Sequence, residues 1–220
     1  KLGIKITYIE QDKPRGLPDA FILGEHFIKK QSVAMILGDN FFYGQSLSKM
    51  LNKCIKMNKG SKVILHKVLD PEKFGVAKIK KNKISAIKEK PKKFFSDLAI
   101  TGLYFFDKNV VKYSKELKPS KRNELEITDI NNVYLKNNNV KIELLSRGFA
   151  WLDTGTHESL IEASQFVQTV EKRQGLKIAC IEEIAYKNGW ISYEEIIKKG
   201  ESMKNNGYGQ YLLNITKKTY

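Results

Sequence analysis

Two aspartates in this chain follow apolar runs: Asp39 comes after the run that begins at Val33, and Asp153 comes directly after Trp151 and Leu152. A short carboxylate at the carboxyl end of a buried strand has little freedom, and ligands of open α/β sheets bind just outside such ends. Mg²⁺ takes oxygen ligands at about 2.0–2.1 Å in near-octahedral geometry. Asp39 and Asp153 are therefore candidate Mg²⁺ ligands, with a helix cap or a turn as the alternative role for Asp39.

The two carboxylates are more than a hundred positions apart, and each stands close to a glycine, Gly38 in one case and Gly155 in the other. A divalent ion held by both could bridge a triphosphate and a second phosphate. Its charge would screen the repulsion between two anions that must meet, and it would stabilise charge on the attacked phosphorus. The pair therefore points to phosphoryl or nucleotidyl transfer.

Three further sites carry polar groups that suit the same chemistry. Gln11 lies in a loop, and its amide offers a donor and an acceptor that fit the edge of a base. Glu89 and Lys90 precede a proline and could pair a sugar-hydroxyl acceptor with a compact phosphate cation. Gly102 interrupts an apolar strand, which often marks close backbone approach by a ligand. Surface decoration is the alternative for Gln11, Glu89 and Lys90.

The hydrophobic pattern predicts the elements that position these residues. Alternating and continuous apolar runs predict strands at 4–9, 33–37, 62–69, 76–79, 84–87, 98–106 and 140–145. Helical spacing predicts helices at 17–28, 46–57, 110–117, 124–135 and 157–171, with Ser46 and Thr156 as N-caps. The run 33–37 is expected to be buried on both faces, and the β-α-β-α-β order of the first part predicts a parallel sheet. We expect an α/β domain over 1–175 and an α-helical appendage over 176–220.

Composition narrows the class of protein. The chain has 220 residues, 41% of them hydrophobic, and a formal net charge of +15. It contains no apolar run of transmembrane length, and its two cysteines fit neither a metal motif nor a disulfide framework, so we expect a cytoplasmic protein without a membrane partner. The charge suits nucleic acid, a membrane surface or an anionic substrate. Few aromatics accompany the lysines, which disfavours nucleic acid and favours a solvated basic surface that assists a phosphorylated substrate.

Six stretches make the chain recognisable. In order they are LGDNFFYG, DPEKFGV, EKP, AITGLYFFD, ELEITDIN and RGFAWLDTGTHESLIEAS, with Gln11 five positions before Gly16. Together they closely resemble the sugar-phosphate nucleotidylyltransferase family, from about Ile4 to the C-terminus. The resemblance implies a Rossmann-like mixed, mostly parallel sheet flanked by helices, the nucleotide-diphospho-sugar transferase fold. It also implies Mg²⁺-dependent transfer from dTTP to glucose 1-phosphate, giving dTDP-glucose for the synthesis of dTDP-rhamnose and related sugars.

The resemblance implies roles residue by residue. Asp39, Lys90 and Asp153 would form the catalytic set, with both aspartates on Mg²⁺ and Lys90 on the sugar phosphate. The residues implied for the nucleotide are Gln11, Gly16 and Asn40, and those implied for the sugar phosphate are Gly75, Glu89, Lys90, Ile100 and Trp151.

Two departures from the family pattern matter. A Gly-rich phosphate loop of the type GGxGTRL occurs nowhere in the sequence, so we expect an N-terminally truncated copy that is inactive alone. Phe74 stands where relatives often have tyrosine. The alternatives are a relative that uses UTP or CTP, and a non-catalytic module with the same fold. Homo-oligomers, often tetramers, are expected from the family.

Overall fold

The computed structural model describes residues 3–57 and 59–216, which form two compact units. Residues 9–160 make one unit, and residues 3–8 with 161–216 make the other. The division into 1–175 and 176–220 stays a prediction. The last four residues of the predicted helical appendage, 217–220, lie outside the described residues.

The larger unit is built on a six-stranded mixed sheet and a separate two-stranded ribbon. The sheet contains β1 (Val33–Ile36), β3 (Ser61–Lys67), β4 (Gly75–Lys80), β5 (Lys83–Glu89), β6 (Leu98–Phe106) and β7 (Val140–Leu144), and the ribbon contains β2 (Asn40–Gly44) and β8 (Phe149–Asp153). A 3₁₀ turn, Pro71–Lys73, precedes β4.

The central strand of the sheet is β6. Its nine residues are apolar except for a threonine and a glycine, and all but the first are buried. It pairs with β1, β3 and β4, always antiparallel, whereas β3 and β7 run parallel. The mixed sheet flanked by helices agrees with the predicted fold class. Most described pairings are antiparallel rather than parallel, because apolar periodicity fixes neither the partner nor the direction of a strand.

The ribbon joins two distant parts of the chain. β2 and β8 pair antiparallel, with Asn40 opposite Asp153 and Phe42 opposite Trp151. Their apolar side chains pack on a core cluster that includes Leu103, Phe105 and Trp151. This register sets Asp39 and Asp153 at the same end of the ribbon.

Helices flank the sheet of the larger unit. They are α1 (Asp19–Leu23), α2 (Glu25–Ile28), α3 (Leu47–Ile55), α4 (Val110–Glu116), α5 (Ile127–Lys136) and the first turn of α6 (His157–Gln174). Two of them contribute buried residues to the main core cluster of the sheet: α4 contributes Val110 and Val111, and α5 contributes Ile130 and Tyr134. Across the described ranges, no helix combines the length and apolarity that a membrane crossing needs.

The other unit is helical. α7 (Ile181–Lys187), α8 (Tyr193–Ser202) and α9 (Gly207–Ile215) close around Cys180, Ala185, Ile191, Ile196 and Leu212. Ser192 caps α8 in a capping box with Glu195, so each satisfies a backbone N–H of the other. The tyrosines of α9 also tie the helices together, because Tyr208 donates to Glu182 and Tyr211 donates to Glu183.

Four local predictions are wrong. Residues 4–9 form no strand, and Ile4, Ile6 and Tyr8 are exposed, because alternation supplies a propensity but no partner edge. β1 alternates between half-buried and exposed residues instead of being buried on both faces. The predicted helix 17–28 divides at Gly24 into α1 and α2. Ser46 precedes α3 in a left-handed conformation and its side chain caps nothing, whereas Thr156 does cap α6, accepting from the backbone of Ser159 at 3.2 Å.

One buried carboxylate fixes α5 against the sheet. Asp107 follows β6, is only 4% exposed, and accepts hydrogen bonds from the N–H of Gly60 (2.7 Å), the N–H of Asn109 (2.9 Å) and the hydroxyl of Tyr134 (2.8 Å). Hydrogen bonds to a charged acceptor are the stronger kind.

We predict that Asp107→Ala lowers the free energy of unfolding by about 3 kcal/mol, since it leaves three donors without a partner, two of them buried. Tyr134→Phe removes one of the three bonds and should cost about 1 kcal/mol. Urea denaturation followed by circular dichroism measures both. Equal losses for the two variants would contradict this account of Asp107.

Candidate active site

A cavity of about 160 Å³ opens between the sheet, the ribbon and α5. Its lining combines apolar walls with a small number of polar groups, as ligand sites usually do. The lining residues are Leu17, Leu37, Asn40, Lys73, Phe74, Gly75, Glu89, Lys90, Ile100, Gly102, Tyr104, Ile127, Thr128, Asn131, Trp151 and Asp153. Seven of the predicted site residues are among them: Asn40, Gly75, Glu89, Lys90, Ile100, Trp151 and Asp153.

The structure brings the two predicted metal ligands together. A β-carbon built on Gly155 would lie 3.0 Å from Asp153 Oδ1 and 3.5 Å from Asp39 Oδ2, so these two oxygens are at most 6.5 Å apart. The backbone N–H and the hydroxyl of Thr154 both donate to the carbonyl of Asp39, at 2.7 and 2.8 Å. The segment that carries Asp153 is thus hydrogen-bonded directly to the segment that carries Asp39.

Each carboxylate is oriented through one oxygen. Asn40 Nδ2 donates to Asp39 Oδ1 at 2.9 Å, and the N–H of Gly155 donates to Asp153 Oδ1 at 3.0 Å. Within 3–57 and 59–216, neither carboxylate forms an ion pair and neither Oδ2 atom accepts a hydrogen bond. Two like charges are therefore held close together without a neutralising protein cation.

This arrangement fits a hard divalent cation. Mg²⁺ usually binds through one or two carboxylates and completes its octahedron with water and substrate phosphates. The described residues contain no cluster of three or more histidine, cysteine, aspartate or glutamate side chains that could hold a metal. In a site with two carboxylates, each oriented by a hydrogen bond from a second group, the remaining positions of the octahedron are open to water and substrate phosphates.

Asn40 links the acids to the sheet. Its Oδ1 atom accepts from the N–H of Gly102 at 2.9 Å and from the indole N–H of Trp151 at 2.6 Å, while its Nδ2 atom donates to Asp39. Gly102 is required here, because a β-carbon at that position would lie 2.6 Å from the Asn40 amide. Gly102 was expected to mark close approach by a ligand, but the group that approaches it here is the Asn40 side chain.

The cavity lining also contains the carboxylate of Glu89. Glu89 accepts a 2.5 Å hydrogen bond from the hydroxyl of Thr128. A β-carbon on Gly75 would lie 3.0 Å from the Thr128 hydroxyl and 3.1 Å from Glu89, so Gly75 keeps this corner open. The polar corner faces an apolar wall, in which Phe74 packs on Trp151 with ring centroids 5.1 Å apart.

Lys90 leaves β5 with a strained backbone. Its φ is +35°, an uncommon value for a residue with a side chain, and its N–H donates to the carbonyl of Phe74 at 3.0 Å. Residues held in such conformations concentrate at functional sites. The strain redirects the chain where Glu89 and Lys90 enter the cavity lining.

Tyr104 is a buried lining residue whose hydroxyl is affected by the charges of both Glu89 and Asp39. It is 4% exposed, and burial together with the charges of Glu89 and Asp39 raises the pKa of its hydroxyl well above the usual value. The hydroxyl therefore stays protonated at neutral pH. It is a potential donor on the cavity wall and cannot act as a base.

Two predicted nucleotide residues lie outside the cavity lining. Gln11 donates through Nε2 to Asp19 Oδ2 at 2.7 Å, which also accepts from Arg15. Gly16 has a φ of +95° and packs on the backbone of Leu125. Between them the loop is held in place beside Leu17, which does line the cavity. Their role in base recognition stays a prediction.

Sequence reasoning missed four polar residues of the cavity: Lys73, Tyr104, Thr128 and Asn131. Thr128 and Asn131 are on α5. Asn131 is four positions after Ile127 and three after Thr128, and this helical spacing was a usable signal that the three share one face. Asn131 is fully buried, and within the described part of the chain neither its amide nitrogen nor its amide oxygen has a hydrogen-bond partner.

We predict that Asn131→Leu raises the free energy of unfolding by about 1–2 kcal/mol, because a buried unpaired amide is replaced by an apolar group of similar shape. Chemical denaturation measures the change, and Asn132→Leu, on the same helix but half-exposed, serves as the matched control. If Asn131→Leu is destabilising while the control is neutral, the amide is hydrogen-bonded in solution.

Comparisons with known proteins agree with this geometry. A family model described as nucleotidyl transferase matches residues 1–170. A glucose-1-phosphate thymidylyltransferase of Neisseria meningitidis is 50% identical over 98% of this chain and 75% of the relative, and one of Mycobacterium tuberculosis is 41% identical over 97% and 74%.

Solved structures show the same likeness. A structure described as a glucose-1-phosphate thymidylyltransferase from Bacillus anthracis, in complex with a sucrose, is 45% identical with a TM-score of 0.66. The match covers 73% of this chain and 64% of that one. A UDP-glucose pyrophosphorylase complexed with UDP-glucose is 26% identical with a TM-score of 0.63, and covers 74% of this chain and 66% of that one. The chain thus spans about three quarters of these curated relatives and just under two thirds of these solved chains.

Proposed function

We propose a reaction for this chain, which belongs to the nucleotidyl transferase family and, within it, to the glucose-1-phosphate thymidylyltransferases. The reaction is attack of the phosphate of glucose 1-phosphate on the α-phosphorus of dTTP, with pyrophosphate as the leaving group. The single observation that carries the proposal is the pair Asp39 and Asp153, whose oxygens lie within 6.5 Å of each other, with Asp153 in the cavity lining and Asp39 next to the lining residue Asn40.

The acid pair supports Mg²⁺ dependence. In the proposed reaction Asp39 and Asp153 would hold the cation, and a bound Mg²⁺ supplies charge neutralisation between two anionic reactants. The protein's own contribution is to fix both carboxylates, through Asn40 on one side and the Gly155 N–H on the other. Catalysis of this type depends on positioning and electrostatics.

The lining residues around Glu89 support the proposal that the cavity binds a sugar phosphate. Glu89 and Thr128 offer an acceptor and a hydroxyl to sugar hydroxyls, and Gly75 leaves room beside them. Lys90 lines the same cavity and supplies a cation for the phosphate. The apolar surface of Phe74 and Trp151 would cover one face of a sugar ring.

The nucleotide side rests on the loop before α1. Gln11 keeps its amide oxygen available while its nitrogen donates to Asp19, so it could accept one hydrogen bond from a base. Thymine and uracil present the same hydrogen-bonding edge, and Gln11 alone does not separate them. UTP is therefore the second candidate, favoured by the similarity to a UDP-glucose pyrophosphorylase.

Two further parts of the proposal follow the family resemblance. The product would enter dTDP-rhamnose or related deoxysugar synthesis, and the chain would assemble as a homo-oligomer. The absence of a GGxGTRL motif from the sequence leads us to expect no turnover by residues 1–220 alone. The central test therefore measures binding rather than turnover.

We predict that Asp39→Asn and Asp153→Asn each weaken Mn²⁺ binding at least tenfold, because each removes one charged ligand from a two-carboxylate site. Isothermal titration with Mn²⁺, in the presence of dTTP and glucose 1-phosphate, measures the loss. Binding of dTTP, UTP and CTP to the unaltered chain is compared in parallel.

Asp97→Asn is the matched control, since Asp97 is a partly exposed carboxylate in an ion pair with Lys67 and does not line the cavity. It should leave Mn²⁺ binding unchanged. Near-native Mn²⁺ affinity in Asp39→Asn or in Asp153→Asn would make that aspartate a structural residue and refute the proposed metal pair. A preference for UTP over dTTP would replace the proposed nucleotide.

A further inference from the structure

Positive charge is concentrated in one segment of the chain, which contains the β4–β5 turn, β5 and the residues after it. Residues 78–93 contain eight lysines and a single acid, Glu89, which gives a net charge of +7 in 16 residues. The whole chain carries +15, so about half of its excess charge lies here. The segment comprises the second half of β4, the turn after it, β5 and residues 90–93.

These charges are not neutralised by the protein. All eight lysines are exposed, and in residues 3–57 and 59–216 none of them lies within 4.0 Å of an acidic oxygen. Lys78 and Lys88 instead place their ammonium groups 4.8 and 4.7 Å from the centre of the Phe95 ring. A cation–π contact holds a lysine in position and leaves its charge in place.

The hairpin leads directly into the cavity. Gly75 and Glu89 are paired at its base, and both line the cavity with Lys90. Because consecutive Cα atoms are 3.8 Å apart, the Cα atoms of Lys88 and Lys92 lie within about 8 Å of the Cα atom of Lys90, and the Cα atom of Lys93 lies within about 11 Å of it. These three lysines form what we call the near set.

The tip of the same hairpin is distant from the cavity. Lys80 and Lys83 are paired five residues beyond the base, and Lys81 occupies the turn between them. Five strand residues span roughly 17 Å. This exceeds the Debye length of about 10 Å at 0.1 M salt, so the charges of this far set are largely screened at the cavity.

We propose that the near set, Lys88, Lys92 and Lys93, steers phosphate-bearing substrates into the cavity by raising their rate of association. The site must collect two anions beside two unneutralised carboxylates, and a local field of opposite sign opposes that repulsion. The proposal depends on the proposed function only for the identity of the anions. It assigns these lysines an effect on association and none on the bound state.

The test compares two triple variants with the same change of charge: Lys88, Lys92 and Lys93 to glutamine, and Lys80, Lys81 and Lys83 to glutamine. Trp151 lines the cavity and is one of two tryptophans, so a Trp190→Phe background makes its fluorescence the reporter of binding. Stopped-flow mixing with glucose 1-phosphate, and separately with inorganic tripolyphosphate, gives association and dissociation rates.

At about 0.1 M salt, where the far set is screened from the cavity, the near variant should bind both ligands about fivefold more slowly, with the dissociation rate unchanged, and the difference should vanish at about 0.5 M salt. The far variant should match the unaltered chain. Equal association rates for both variants, or a change confined to dissociation, would overturn the proposal. If tripolyphosphate shows the steering effect but glucose 1-phosphate does not bind, steering stands and the proposed sugar phosphate is wrong.

Discussion

The antiparallel pairing of β2 with β8 is the constraint on which the site depends. It places Asn40 opposite Asp153 and so brings together two segments separated by more than a hundred residues. Asn40 then extends the constraint to the central strand, because its amide oxygen accepts from both Gly102 and Trp151. One half-buried amide thus joins the aspartate pair, the sheet and the aromatic wall.

The remaining site residues depend on a second support. β6 carries Ile100, Gly102 and Tyr104 on the face that lines the cavity, and Asp107 at its end bonds to Tyr134 of α5. α5 in turn presents Thr128 to Glu89. Glu89 and the aspartate pair are therefore positioned by different supports, α5 for Glu89 and the β2–β8 pairing for Asp39 and Asp153.

Much of this could be predicted from the sequence, for physical reasons that differ between elements. β6 was predicted with its observed ends, because a nine-residue apolar run bounded by polar residues leaves little choice. β4 and β5 were predicted at 76–79 and 84–87 from two short apolar runs that flank a polar stretch. The site residues Glu89, Lys90 and Asp153 were identified by residue type and by family resemblance, and the cavity contains them.

Other features could not be predicted because they depend on partners that are distant in sequence. β2 is a short strand whose pairing with β8 no local pattern specifies, and the direction of the neighbours of β6 is equally nonlocal. The apolar alternation at 4–9 indicated a strand, but the described residues provide it with no partner. Thr128 and Asn131 look like ordinary helix residues until α5 is placed against the sheet.

The account stands on the claim that Asp39 and Asp153 share one site. A double-mutant cycle of Asp39→Asn and Asp153→Asn, measured as unfolding free energy at low salt without divalent metal, tests this claim most directly. Two carboxylates within 6.5 Å should repel each other, so the account predicts a coupling energy of about 1 kcal/mol that disappears at high salt. Additive effects of the two substitutions would place the two acids apart and contradict the account.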